Sequence, residues 1–312
     1  STYTNTIPIE LKVNICMKCE AFYLREFVDE SEISKYYSET YYTKSNILDT
    51  QNFNFRVREL SYHLFKGYPK KINLSLKLFL ASIIYRIFYW HRFERFPNFL
   101  KNISDPSILE IGYGGGNYLL DAKNLGWDCY GIDVDQTNSE QLKSKGISVA
   151  EKFTNLKFSK KKIDYIYSYH AFEHIYDIED AMKNSFDILS NDGIFKLCVP
   201  MSDGILPKIF KKYWYDLGVP IHKQIYSYKG IKLLADRHGF KVYNYKYNSY
   251  SESLFGSIVA SLIGFIRYKK KSAQEITSYK VSKFICLIIS PLVIFIDIIK
   301  LGDRAEFTLI KK

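Results

Sequence analysis

From Ser107 onward, short apolar runs alternate with stretches of helical spacing, and that alternation predicts a parallel sheet covered by helices on both faces. Ile108-Leu-Glu-Ile111 reads as a buried strand, followed at once by glycines. Helical spacing then runs from Tyr118 to Leu125 and closes at Gly126, a residue suited to a helix C-terminus. A second strand spans Trp127 to Ile132, and a short helix from Ser139 to Lys145 stops at Gly146. Another strand is expected over Ile163–Tyr169 and a helix over Ile178–Leu189, after which Asn191-Asp192-Gly193 turns the chain into a strand from Ile194 to Val199. Beyond Pro200 the pattern loosens into a helix over Tyr228–His238, a strand over Phe240–Tyr247 and a last strand over Glu306–Ile310.

The flanks behave differently. Residues 1–60 are polar and tyrosine-rich, with Tyr36-Tyr37 and Tyr41-Tyr42 among Ser, Glu and Thr, whereas Leu74 to Trp90 predicts an amphipathic helix carrying Lys77 and Arg86. Leu254–Ile266 and Phe284–Ile296 are apolar segments separated by Arg267-Tyr-Lys-Lys-Lys271. The second is 13 residues long, broken by Ser290-Pro291 and followed by Asp297, while a membrane span needs about 20 apolar residues. A helical hairpin is expected instead, either lying on an anionic membrane surface, packing on the sheet or forming a homodimer contact. The expected organisation is a helical, tyrosine-rich region over 1–105, the sheet domain over 106–253, the apolar hairpin over 254–303 and the terminal strand of the sheet over 304–312.

Composition narrows this only a little. The 312 residues are 47% hydrophobic and 25% charged, which excludes wholesale disorder and collagen-like sequence. A net charge of +11 with 17% aromatics leaves nucleic acid, anionic membrane and phosphorylated substrates as partners. Five scattered cysteines make no disulfide framework, and no leader-like segment precedes Tyr23, so a reducing, cytoplasmic setting is expected. Cys16-Met-Lys-Cys19 is half of a zinc-ribbon pattern; a structural zinc needs four ligands and no second pair exists, so no bound metal is expected.

The glycine run is the first candidate for chemistry. Glu110-Ile-Gly112-Tyr-Gly114-Gly115-Gly116 follows a strand and opens a helix, the place where a bare backbone approaches a ligand. A dinucleotide fingerprint needs glycine at 117, where Asn stands, and a carboxylate at 110 repels a pyrophosphate but attracts a cationic amino-acid portion. The next strand ends Gly131-Ile-Asp133, placing an acid where two ribose hydroxyls can be held.

With these residues in order, the sequence resembles the class I methyltransferases that use S-adenosylmethionine. Glu110 to Gly116 looks like their first motif and Asp133 like their ribose-binding acid; Ile163-Asp164-Tyr-Ile166 resembles their fourth strand, and Phe172-Glu173-His174-Ile175 with Asp177 their "LEHxxD" segment. Asn191-Asp192-Gly193-Ile194 precedes strand five as in the family, and Trp214, Pro220, His222, Tyr226 and Gly239-Phe240 resemble the small-molecule and glycan-modifying, type 11/23-like branch. The resemblance implies an α/β, Rossmann-like, seven-stranded and mostly parallel sheet whose last strand is antiparallel. It also implies a donor site of Glu110, Gly112, Gly114, Gly116 and Asp133, with the Phe153 ring at the adenine in place of a missing acid, and the Tyr36/Tyr42 region closing over the donor.

The histidines supply the remaining chemistry. His170-Ala-Phe-Glu173-His174 spaces two imidazoles at i and i+4, a metal-like spacing that also reads as an inverted zinc-protease signature. Its place after the fourth strand argues against a protease and for Glu173 hydrogen-bonding the loop, with a divalent metal that positions a substrate hydroxyl as the lesser alternative. Methyl transfer to a hydroxyl releases a proton, so His222 is the expected base, with His174 and His170 in reserve and Trp214 and Tyr226 as acceptor walls. The acceptor implied is a hydroxyl on a sugar, sugar nucleotide or lipid-linked glycan. A lipid or quinone-like acceptor, and a catalytically silent relative that binds a partner, stand as alternatives. Nucleic acid is disfavoured because Ser168-Tyr-His170-Ala stands where an Asn-Pro-Pro-Tyr-like motif belongs.

Overall fold

The structure is a computed structural model describing residues 12–25, 57, 60–61, 64, 75–88, 96–97, 100, 102–159, 162–266 and 279–312. The Tyr36-Tyr37 and Tyr41-Tyr42 segments and the basic run 267–271 lie outside these residues. Chain order is β1 (Val13–Ile15), β2 (Phe22–Leu24), α1 (Leu76–Phe88), β3 (Ser107–Ile111), α2 (Asn117–Asn124), β4 (Asp128–Ile132), α3 (Ser139–Ser144), β5 (Ser148–Ala150) and β6 (Ile163–Tyr169). It continues with α4 (Ile178–Ile188), β7 (Leu189–Pro200), α5 (Ile205–Phe210), β8 (Gln224–Ile225), α6 (Tyr228–Arg237), β9 (Phe240–Tyr247), α7 (Ser251–Ile266), α8 (Tyr279–Ile298) and β10 (Arg304–Lys311).

The expected α/β sheet is present, with seven strands in the order β5-β4-β3-β6-β7-β10-β9. β3 pairs in parallel with β4 and β6, and β10 runs antiparallel to β9. The terminal strand therefore lies between β7 and β9 rather than at an edge. β1, β2 and β8 form a three-stranded sheet that the sequence did not announce, because strands of two or three residues are too short to show a period.

Two expectations change in detail. β7 is assigned from Leu189, yet a Cβ on Gly193 would meet Leu189 Cδ1 at 2.7 Å, so the chain folds back across Asn191-Asp192 before running straight from Ile194. Pro291 does not divide the second apolar segment: α8 runs continuously from Tyr279 to Ile298. Pro291 sits on its exposed face, where a carbonyl deprived of its N–H partner can meet solvent.

The chain divides into two compact units. One comprises the described residues of Thr40–Ser168 together with Asp187–Phe195. Its interior is aromatic: Phe96 stacks on Tyr118 at 4.5 Å and meets Trp127 edge-on at 5.1 Å, and Tyr118 lies 4.4 Å from Tyr167. The start of its central strand is clamped, since Asp164 Oδ2 accepts from both the Ser107 N–H (2.9 Å) and the Ser107 hydroxyl (2.7 Å). The other unit comprises the described residues of Ser1–Glu39 with Tyr169–Phe186 and Lys196–Lys312. There Leu206, Trp214, Ile225, Leu254 and Val293 form a core cluster, and α7 packs against α8.

Asp164 thus has a structural duty. Asp164→Ala leaves the wholly buried Ser107 without its acceptor and should lower the unfolding free energy by about 1–3 kcal/mol in urea denaturation. A loss within error would show that the clamp contributes nothing.

Candidate functional site

In the first unit, the backbone turns where the glycines stand. Gly112, Gly114 and Gly116 have φ of 78°, 50° and 68°, a region closed to most side chains. The Gly112 N–H donates to the Ile132 carbonyl (2.7 Å) and the Gly116 N–H to the Tyr113 carbonyl (2.7 Å), before the Gly116 carbonyl receives the Leu120 N–H of α2. A Cβ on Gly116 would lie 2.6 Å from Leu142 Cδ2.

Asp133 ties this loop to the end of β4. Its Oδ2 accepts from the Gly114 N–H (2.7 Å) and its Oδ1 from the Asp135 N–H (2.8 Å). Burial pushes its carboxyl up to about 6, against the pull of those two N–H groups. Glu110 lies buried in β3, in register with Gly131 of β4 and Tyr167 of β6. Phe153, half-buried, opens the one-turn helix after β5, the strand paired with β4.

Gly131 was legible only as the residue before Ile132-Asp133, but the structure gives it a reason. A Cβ there would meet Leu119 at 2.7 Å and Tyr113 at 2.8 Å, so its bareness lets the loop residue Tyr113 pack down on β4. Asn138, whose side-chain amide reaches the Gly114 carbonyl at 3.4 Å, carried no signal in the sequence.

In the second unit, the His-x-x-Glu-His string does not form one helical face. Phe172–His174 is a single 3-10 turn and His170 has φ of 53°, so the two imidazoles part. His170 Nδ1 lies 3.1 Å from Glu173 Oε1, whereas His174 faces His222, with ring centroids 4.8 Å apart. Nδ1 of His174 donates to the Ile221 carbonyl (3.2 Å) and Nδ1 of His222 to the Asp216 carbonyl (2.8 Å). Gly218, with φ of 56°, lets the His222 ring lie against its backbone; nothing in the spacing of the histidines pointed to it.

The charges here are held away from water. Burial pushes the Glu173 carboxyl up to about 8, although Arg304 pulls the other way. Burial holds His174 down to about 4 and His222, with His174 beside it, down to about 3. An imidazole this reluctant to take a proton is a weak base, which alters the role expected of His222. Arg304 is itself buried, lying over the Tyr250 ring (3.6 Å) and 3.4 Å from Asp216 Oδ2.

Both expected acceptor walls are buried. Trp214 is only 2% exposed, in the core cluster, and its indole N–H donates to Asp303 Oδ2 at 2.9 Å. Tyr226 is also buried, its hydroxyl donating to the Phe172 carbonyl (3.3 Å). Asp177 caps α4 by accepting the Asp180 N–H at 2.9 Å. Cys16 and Cys19 flank the turn between β1 and β2, and among the described residues no third metal ligand joins them.

The model of a family described as "methyltransferase domain" matches residues 85–245, just over half of the 312. No curated protein sequence matches the chain significantly. Among solved structures, a candidate sarcosine dimethylglycine methyltransferase from Galdieria sulphuraria is 17% identical over 82% of this chain and 98% of its own, with a TM-score of 0.43. An S-adenosylmethionine-dependent methyltransferase from Archaeoglobus fulgidus is 16% identical over 76% of this chain and 100% of its own, with a TM-score of 0.46.

The lowered pKa of the two histidines has an observable consequence. Their ring-proton resonances should show no titration between pH 5 and 8, because both protonate well below that window. A step near pH 6.5 at either ring, where free imidazole titrates, would contradict the burial described.

Proposed function

The chain belongs to the methyltransferase-domain family, and on that premise we propose that it moves a methyl group from S-adenosylmethionine to a hydroxyl of a sugar, sugar nucleotide or lipid-linked glycan. The observation that carries the donor is Asp133. Each of its oxygens accepts one backbone N–H and keeps lone-pair capacity for one more donor, which suits the two hydroxyls of a ribose. S-adenosylmethionine supplies a methyl group already activated by its sulfonium.

The protein's own work is placement. The carboxylate of Glu110 attracts the ammonium of the amino-acid portion, the bare backbone of Gly112, Gly114 and Gly116 admits close approach, and the Phe153 ring offers a face to adenine. Orienting the reactants supplies much of the rate. The acceptor hydroxyl must lose a proton, and we assign its handling to Glu173, His174 and His222 together rather than to His222 alone, since His222 is a weak base as placed. The glycan choice is supported by the string Trp214, Pro220, His222, Tyr226 and Gly239-Phe240, and by the +11 charge. Trp214 and Tyr226 serve it as scaffold.

A membrane-delivered acceptor has its own support. Ile288, Leu292 and Phe295 recur at helical spacing along one face of α8 and are 61%, 53% and 56% exposed. Among the described residues no helix is long and apolar enough to cross a membrane. An apolar stripe on a basic protein suits contact with the surface of an anionic bilayer. With five free cysteines, this reading places the enzyme in the cytoplasm, on the inner face of the membrane.

Calorimetry with S-adenosylmethionine tests the donor assignment. Hydroxyls donating to Asp133 require its ionised form, so affinity should fall about tenfold per pH unit below pH 6 and level off above it. Asp133→Ala should bind at least about tenfold more weakly and lose that dependence. No binding by the unaltered chain would leave the silent-relative alternative standing. For the stripe, flotation with phosphatidylglycerol vesicles should be lost in Leu292→Lys/Phe295→Glu. If the unaltered chain stays at the bottom of the gradient and elutes as a dimer, the stripe is a self-contact.

A further inference from the structure

Glu173, His174 and His222 present one ligating atom each, all within 4.8 Å of one another, and no other such trio occurs among the described residues. Glu173 is wholly buried; His170 occupies its Oε1, and its Oε2 has no hydrogen-bond partner. An oxygen left bare in the interior costs free energy unless something binds it. The two imidazoles are already set in the matching tautomer. Because the Ile221 and Asp216 carbonyls can only accept, each Nδ1 carries the proton and each Nε2 keeps its lone pair. Histidines that ligate metals are held in this way, with the second nitrogen donating to a carbonyl.

We propose that Glu173, His174 and His222 bind a divalent transition-metal ion. Two imidazoles and a carboxylate suit manganese, iron, cobalt, nickel or zinc rather than calcium or magnesium. Ligand atoms about 2.1 Å from an ion stand roughly 3 Å apart, so the trio closes by one to two ångströms on loading, a side-chain adjustment. A divalent ion would also favour the charged form of Glu173, which burial alone disfavours. His174 and His222 remain partly exposed, which leaves a way in.

The site goes beyond the donor assignment, and only its use rests on the methyl-transfer reading. An acceptor hydroxyl reaching such an ion would become more acidic and give its proton to water. Its oxygen then forms the bond to the methyl carbon as the carbon–sulfur bond breaks, leaving a neutral thioether. The weak basicity of His222 is then no handicap, because it binds the ion rather than the proton.

Manganese(II) titration followed by the electron paramagnetic resonance of the free ion tests the site directly. One ion should bind per chain in the unaltered protein and equally in Cys16→Ser/Cys19→Ser, while Glu173→Gln and His222→Gln should each weaken binding at least about tenfold. In the unaltered chain, bound manganese should broaden the His174 and His222 ring signals before that of His238, so the site is located even if a variant fails to fold. A full free-ion signal at excess protein, or broadening centred on His238 or on Cys16 and Cys19, overturns the proposal. Calorimetry with S-adenosylmethionine on the same preparation separates the two readings. Donor binding without manganese binding removes only the ion; manganese binding without donor binding removes only the methyl-transfer reading.

Discussion

Asp133 accepts the Gly114 N–H through one oxygen and the Asp135 N–H through the other, and these bonds hold the turn after β3 to the turn after β4. The first unit's chemistry depends on this pairing. The glycines allow φ near 50–78° but do not enforce it; the carboxylate removes the alternatives. Its partial desolvation raises its pKa, so ionising it costs free energy that the two N–H groups only partly return. Retained carboxylates of this kind suit a ligand with hydroxyl donors. Gly131 completes the arrangement from below, since its missing Cβ is what lets Tyr113 seat the loop on the sheet.

The second unit solves a related problem with more charges and less compensation. β10 brings Arg304 and Glu306 into the interior, with Asp303 just before it. Glu306 meets Lys196 at 3.0 Å, and Asp303 takes donors from Trp214 and Ser253 on one oxygen. Glu173, like Asp303, is a buried carboxyl with one oxygen paired and the other bare, and it alone of the two faces a pair of imidazoles. Its neighbours are arranged as if its charge were to be used: His170 fixes one oxygen, and two carbonyls fix the tautomers of the imidazoles beside it.

The strands and helices around the glycine loop were legible in the sequence because each is long enough to show its period. Ile163–Tyr169 and Phe240–Tyr247 were placed to the residue. β1, β2 and β8 were not, since two or three residues carry no period and their pairing is decided by distant chain. The glycine turn from Glu110 to Gly116 could be read because a strand and a helix flank it directly in sequence. The histidine cluster could not, because His174 and His222 are 48 positions apart and spacing within the string pointed to His170 as partner instead. Only the left-handed backbone at His170, invisible in sequence, turns it toward Glu173.

Several positions that carry the family resemblance make contacts that hold the fold. Asp164 clamps β3 to β6, Asp177 caps α4, and Trp214 and Tyr226 are buried with their polar atoms satisfied by Asp303 and the Phe172 carbonyl. Trp214 and Tyr226 have little surface to offer an acceptor, whereas Asp177 is exposed but spends an oxygen on its cap. On the proposed reading, acceptor selection falls to the Glu173–His174–His222 trio and the apolar stripe of α8. One is suited to a polar, ionisable group and the other to an aliphatic phase. A lipid-linked glycan contains both, so the proposed reading favours it over a freely soluble sugar.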